Sequence, residues 1–263
     1  MEQTSSVITG INWVGVRSLY TKEVLRFLRV YNQTLIAPMV NAVLFLAIFV
    51  FALGDRVKVV GNIAFIDFMA PGLIMMTMVQ NAFANTSSSL IMGKVLGTII
   101  DVLLPPLSAA EVTFSMAMGG VTRGILSGIS VAIAISFFAD LYVHDWILLL
   151  TYSIVACTFL SLLGLIGSIF ANSFDQMAAI TSYIITPLAF LSGTFYSIKR
   201  LPEFWQTVNH FNPFFYMIDG FRYSMTGQAD ANITTGLIVL TSGVVICYII
   251  AQTLFSKGYR IKS

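Results

Sequence analysis

Apolar residues in this chain come in long runs separated by short polar interruptions. Runs near residues 33–53, 64–84, 113–138, 146–170, 177–197 and 234–255 each reach the roughly 20 apolar residues that an α-helix needs to cross a bilayer core. Four of the six contain no Asp, Glu, Lys or Arg, while the second carries Asp67 and the third Arg123. The pattern predicts an all-α integral membrane protein, with six spans in a single transmembrane domain covering 1–263. A further apolar stretch, Leu90 to Leu107, competes for a seventh span. Lys94, Asp101 and the Pro105-Pro106 break argue against its crossing, and so does the charge at the chain ends. An even count puts Arg17, Lys22, Arg26 and Arg29 on the same side as Lys257, Arg260 and Lys262. Lys94 belongs to that side too, and Arg56, Lys58, Lys199, Arg200 and Arg222 fall opposite. The positive-inside rule then predicts cytoplasmic termini.

Three pieces remain outside the spans: residues 1–32, 85–112 and 198–230. In the first, Tyr20, Val24, Phe27 and Tyr31 recur at helical spacing with Trp13 in phase, and Lys22, Arg26 and Arg29 fall opposite. This is the pattern of an amphipathic interfacial helix contacting membrane lipid, with docking to a partner subunit as the sharper alternative. The last piece holds Pro202, Trp205, Pro213 and a short apolar run from Phe214 to Met217. It is too short to cross and predicts one or two short re-entrant helices at the outer surface, with Asp219 and Arg222, three apart, expected to pair and hold the helix in place.

Composition agrees with a lipid environment. Hydrophobic residues make up 57% of the chain, charged residues only 10%, and mean hydropathy is +0.86. A soluble domain carries about 25% charged residues, so too little polar surface exists to cover this chain in water. The net charge of +2 gives no reason to expect a nucleic-acid partner. Cys157 and Cys247 lie within apolar runs and read as small buried hydrophobes. The first 32 residues show no apolar core followed by a cleavage site, so the first span is expected to serve as the insertion signal.

Candidate chemistry is sparse. His144 and His210 are the only histidines, too few and too far from membrane depth for a metal cluster or a Ser-His arrangement. Gly93-Lys94 lacks the glycine spacing of a phosphate-cradling loop, so if ATP drives this protein another chain binds it. The third span places a small residue at every fourth position, Gly120, Gly124, Gly128, Ala132 and Ser136. That stripe lets backbones touch, inside one copy or at a dimer seam. Arg123 beside it requires pairing or hydration, with Asp67, Glu111 or backbone carbonyls as candidate partners. The role is a structural ion pair or the lining of a substrate path.

The segment from Leu201-Pro202 through NPFFYMIDGFRY, Asn212 to Tyr223, resembles the signature of the ABC transporter type-2 permease family, on Pro202, Pro213, Tyr216 and Arg222. The stretch GTIIDVLLPPLSAAE, residues 97–111, is similar to that family's cytoplasmic segment between spans two and three. The resemblance implies a coupling helix around Asp101, Leu103, Leu104, Pro106 and Leu107 that contacts an ABC ATP-binding subunit. It further implies two permease copies above two ATPases, with ATP and Mg bound by the ATPases and no cofactor on this chain. Export of a polysaccharide or glycolipid, a lipid or a hydrophobic drug across a bacterial inner membrane would follow. An ion-coupled secondary transporter or channel is the alternative, and it would need ionisable groups near the midplane, where only Asp67 and Arg123 are available.

Overall fold

The computed structural model describes residues 10–53, 59–60 and 63–259. The basic residues Arg56, Lys58, Arg260 and Lys262, used above to orient the chain, lie outside the described residues. The first helix, α1 (Trp13–Leu28), leads through a π-helical stretch, Asn32–Ile36, into α2 (Ala37–Leu53). A two-residue antiparallel ladder, Val59–Val60 with Ile63–Ala64, then turns the chain into α3 (Phe65–Val95). The short α4 (Ile100–Leu103) precedes α5 (Ala109–Ile135), and α6 (Trp146–Phe170) follows. Next, α7 (Phe174–Ile180), a π-helical stretch Thr181–Ile185 and α8 (Thr186–Leu191) run consecutively. The chain ends in α9 (Glu203–His210), α10 (Pro213–Thr226) and α11 (Ile233–Ser256).

Among the described residues, five helical segments are long and apolar enough to cross a membrane: Asn32–Ala52, Ala109–Ile135, Trp146–Phe170, Phe174–Leu191 and Ile233–Ser256. The sixth expected span is α3, whose 31 residues extend roughly 46 Å at 1.5 Å per residue. It is the least apolar of the six and the most central, packing against α2, α5, α6 and α10. Two ends of the bundle can be distinguished. The loop end carries α4 and the start of α5; the hairpin end carries the small ladder.

Several predicted boundaries move, each for a local reason. The second span was expected to stop near 84, yet α3 continues to Val95, because Asn85 Oδ1, Ser88 and Ser89 bond to Arg26 and Glu23 of α1 and Thr86 to Ser161 of α6, so the polar run does not break the helix. Only residues 96–108 then separate α3 from α5. α5 starts at Ala109 behind a capping box, with Ser108 N donating to Glu111 Oε2 at 2.6 Å and Glu111 N to Ser108 Oγ at 3.3 Å. The fifth span was expected to reach 197; α8 instead ends at Leu191, and Gly193 turns the chain at φ +79.

α10 is also a correction. An outer-surface helix was expected, but most of its 14 residues are buried, and it wedges against α3, α6 and α11. Its start is fixed by Pro213 and by Asn212, whose Oδ1 accepts from Phe214 N at 3.1 Å and whose Nδ2 donates to Leu188 O at 2.8 Å. Gly220 sits directly against the Tyr152 ring of α6, so no side chain fits there.

In lipid, burying apolar side chains between helices gains little, and close packing with hydrogen bonds must hold the bundle. The α5 stripe supplies both within one copy. A Cβ on Gly124 would lie 2.7 Å from Met78 O of α3 and 2.8 Å from Cys157 Sγ of α6. Gly120 abuts Ser161 and Gly128 abuts Met78. Around this contact Ser161 Oγ donates to Ala117 O at 3.0 Å, and Thr86 Oγ1 donates to Ser161 O at 2.7 Å. These bonds lock α3, α5 and α6 into the core.

Candidate functional site

Three regions of the bundle carry polar or exposed groups that packing alone does not require. The first is the loop end. Lys94, at the last turn of α3, donates to the carbonyls of Ser168 (2.9 Å), Ile169 (2.6 Å) and Ala171 (3.0 Å). Those carbonyls terminate α6, where unsatisfied backbone oxygens and the helix dipole favour a cation. Lys94 thus clamps two core helices at the root of the loop. Beyond it, Ile99 and Val102 are buried, whereas Asp101 and Pro106 are exposed and Leu104 is 75% exposed. Val95, Leu96 and Ile100 are exposed as well, forming an apolar surface with Leu104 that the sequence reading recognised only in part. Leu103 closes α4. Leu107 departs from expectation, because it is half-buried and packs on Gly15 of α1.

α1 is not the simple amphipathic anchor that the aromatic spacing predicted. Its buried side is Val16, Leu19, Glu23 and Phe27, while Trp13 and Tyr31 are exposed. Arg26, placed opposite the aromatic side by its spacing, turns inward. It pairs with buried Glu23 at 3.1 Å and donates to Asn85 O (2.7 Å), Asn85 Oδ1 (2.9 Å) and Ser88 Oγ (3.1 Å) of α3. Ser89 Oγ donates to the other Glu23 oxygen at 2.7 Å. At its start α1 is held by Asn12, whose N donates to Glu111 Oε1. Polar partners on α3, invisible to a helical-wheel argument, set the rotation of this helix.

The second region lies at mid-membrane. Arg123 Nη2 donates to Asn81 Oδ1 of α3 at 3.3 Å. Neither acidic candidate is near. Asp67 is fourteen residues along α3 from Asn81, roughly 21 Å at helical rise, and accepts from Asp140 N at 3.3 Å. Glu111 serves the cap of α5. The expected ion pair is therefore replaced by a single amide contact, and Arg123 Nε is buried with no partner. Between Phe68 and Ile91, the positions of α3 that are not fully buried are Thr77, Gln80, Asn81, Ala84, Ser88 and Ser89. Their spacing places most of them on one face. The run was legible as polar residues at i, i+3, i+4 and i+11 from Thr77 within a hydrophobic span, but hydropathy averaging conceals it.

The third region is the hairpin end. Arg222 is 3% exposed. It donates through Nε to Phe68 O at 3.3 Å and through Nη2 to Gly193 O at 2.7 Å, with its guanidinium carbon 3.9 Å from the Phe68 ring centroid. Asp219, expected to pair with it across one turn, instead accepts from Asp230 N (2.9 Å) and Ala231 N (2.8 Å). Burial pushes the Asp219 carboxyl above the ordinary carboxylate range, against the pull of those amides and of the Arg222 charge. Tyr216 donates to His210 O at 3.0 Å, joining α10 to α9. Pro202 and Pro213 each stand at a helix start. The signature residues thus organise the α9–α10 corner and fasten it to α3 and to the turn after α8. Beside this corner, Phe45 and Phe49 of α2 meet Phe190 and Phe195, with Phe49 and Phe195 stacked at 4.5 Å. This aromatic cluster joins α2 to α8 across the hairpin end.

Known proteins resemble this chain along nearly its whole length. The chain is 36% identical over 251 residues to the inner membrane transport permease YadH of Escherichia coli strain K12, covering 95% of this chain and 98% of that one. It is 25% identical to nodulation protein J of Rhizobium leguminosarum bv. viciae, over 94% and 95% of the two chains. Residues 15–226, from α1 to the end of α10, match the family described as ABC-2 type transporter. A multi-pass helical bundle of this extent, matched from its first helix to its signature corner, belongs to the ABC-2 type transporter family, and the chain is a transport permease of that kind.

Proposed function

We propose that this chain is the membrane-spanning subunit of an ATP-driven exporter, working as a pair of permease copies above two ATP-binding subunits that hold ATP and Mg. The observation that carries the reading is the loop end: Val95, Leu96, Ile100 and Leu104 present an apolar surface on a loop rooted by Lys94 in α3 and α6. Leucine and isoleucine side chains each gain about 1.5–3 kcal/mol on leaving water, so a protein partner suits this surface. A force applied there enters the two most central helices directly. On this reading the loop end is cytoplasmic, both termini lie on that side, and the membrane is the bacterial inner membrane, as the name of the E. coli relative states for that protein. The exported molecule is a polysaccharide or glycolipid, another lipid or a hydrophobic drug.

Co-purification with the ATP-binding subunit tests the reading. Leu104→Asp, at an exposed position that needs no repacking, is expected to release that subunit or uncouple its hydrolysis while permease abundance stays unchanged. A Leu104→Asp, Ile100→Asp double variant that still co-purifies and still transports would show that the partner docks elsewhere.

A further inference from the structure

A helix at the centre of a membrane bundle should be apolar wherever it is not tightly packed, since a polar group facing lipid is costly. α3 does the reverse. Between Phe68 and Ile91 its buried positions are mostly apolar, and its partly open positions are Thr77, Gln80, Asn81, Ser88, Ser89 and a single alanine. Such a stripe has to meet water, protein or a ligand.

The hydrogen bonds at the stripe point to a ligand that accepts. Thr77, Asn81 and Ser88 donate to carbonyls of their own helix. Arg123 has five N–H donors and makes one contact, to Asn81; its Nε is buried and unpartnered. Asn85 Nδ2, beside Arg26, is a second buried donor with no partner. The charges are unbalanced in the same direction. Glu23 neutralises Arg26, and among the described residues no carboxylate lies within ion-pair distance of Arg123. Arg123 stands next to the midpoint of α5, whose 27 residues extend roughly 40 Å, so a hydrocarbon core about 30 Å thick centred on that helix has Arg123 near its middle.

Adjacent to the stripe is an apolar wall. Gln80, Ala84 and Ser88 line a cavity of 220 Å³ whose other side is Phe174, Met177 and Ile185. Polar floor and apolar wall together suit an amphiphile, and the aromatic cluster of Phe45, Phe49, Phe190 and Phe195, between α2 and α8, stands at the hairpin end.

Resting on the reading of the chain as a transport permease, we propose that Arg123 and the α3 stripe bind the anionic head group, a phosphate or carboxylate, of a substrate whose apolar body lies against α7 and the π-helical stretch. Recognition uses charge-assisted hydrogen bonds from the guanidinium, with the Gln80 amide as a neutral partner.

The test uses the purified permease in phosphatidylcholine nanodiscs, with Cys157 and Cys247 replaced by alanine and Gln80→Cys as a reporter. A charged thiol reagent is expected to label Gln80→Cys, dodecyl phosphate to slow that labelling, and dodecanol to leave it unchanged. Inorganic phosphate is expected to protect far more weakly; equal protection by it would remove the apolar half of the proposal. Arg123→Gln is expected to weaken dodecyl phosphate by about tenfold, the loss of one charge-assisted bond, with Arg123→Lys retaining most of the affinity. Asn81→Asp gives the same answer without removing the cation, because a carboxylate at 3.3 Å would neutralise Arg123 from within. It should fold, the new ion pair offsetting the lost Asn81 Nδ2 bond to Thr77 O, and lose binding to a similar degree. Dodecyl phosphate that fails to protect, or that protects Asn81→Asp and the parent alike, overturns the proposal. Co-purification of the ATP-binding subunit is scored in parallel. Its absence from the parent protein would defeat the transporter reading while leaving the binding result intact.

Discussion

Gly124→Ala isolates the packing of the core triple of α3, α5 and α6. A single methyl added at Gly124 would stand 2.7 Å from Met78 O, 2.8 Å from Cys157 Sγ and 3.2 Å from Ala82 Cβ. The first of these is backbone, so relief requires a shift of α3 itself. Overpacking of this kind costs about 1–3 kcal/mol. Alanine also gains up to about 1 kcal/mol over glycine in helix propensity, which blurs the result at one site alone. Gly167→Ala in α6 supplies the reference: its new methyl would meet nothing closer than Met177 Cε at 3.6 Å, ordinary contact with a flexible side chain. The propensity gain is common to both variants and cancels in the comparison, leaving a gap of about 1–3 kcal/mol from overpacking. Thermal unfolding of the purified variants in one detergent, followed by size-exclusion fluorescence, measures that gap. Gly124→Leu should go further and leave little folded protein. A Gly124→Ala variant as stable as Gly167→Ala would refute the claim that these backbones touch.

Two other contacts yield sharp expectations. Lys94→Met removes the clamp on the Ser168, Ile169 and Ala171 carbonyls, each bond to a charged group being worth about 1.5–3 kcal/mol; the ATP-binding subunit is expected to remain bound while transport per ATP falls, and unchanged transport would exclude the clamp from coupling. Arg222→Lys loses the two-pronged grip on Phe68 O and Gly193 O, so it should unfold at lower temperature than the parent, and combining Asp219→Arg with Arg222→Asp should rescue nothing, because the two side chains hold different partners.

How much was legible depended on whether a residue's role is local. The spans, the N-terminal helix and the proline-marked corner all follow from runs and spacings of a few residues, and the structure contains each of them as helix. Long-range partners were not legible. The spacing of Asp219 and Arg222 predicted a pair that burial dissolves, since each finds a better partner in backbone groups brought close by α3 and by the turn after α8. The aromatic spacing of α1 predicted its membrane face, yet Glu23 and Arg26 turn inward because Asn85, Ser88 and Ser89 satisfy them. Leu107 was assigned to the docking surface on hydrophobicity, and the glycine at position 15 draws it into α1 instead.

The stripe on α3 shows where hydropathy loses information. Thr77, Gln80, Asn81 and Ser88 are diluted in any 20-residue window by Met75, Met76, Met78, Val79 and Phe83, all of them buried. The average describes what lipid would see if the helix stood alone. In the bundle the apolar residues turn toward α5 and α6, and the polar ones are left on the open side, so the face that remains has the opposite character to the mean. A helix that is central, long and the least apolar of its set is therefore the one whose sequence should be read by face before it is read by average.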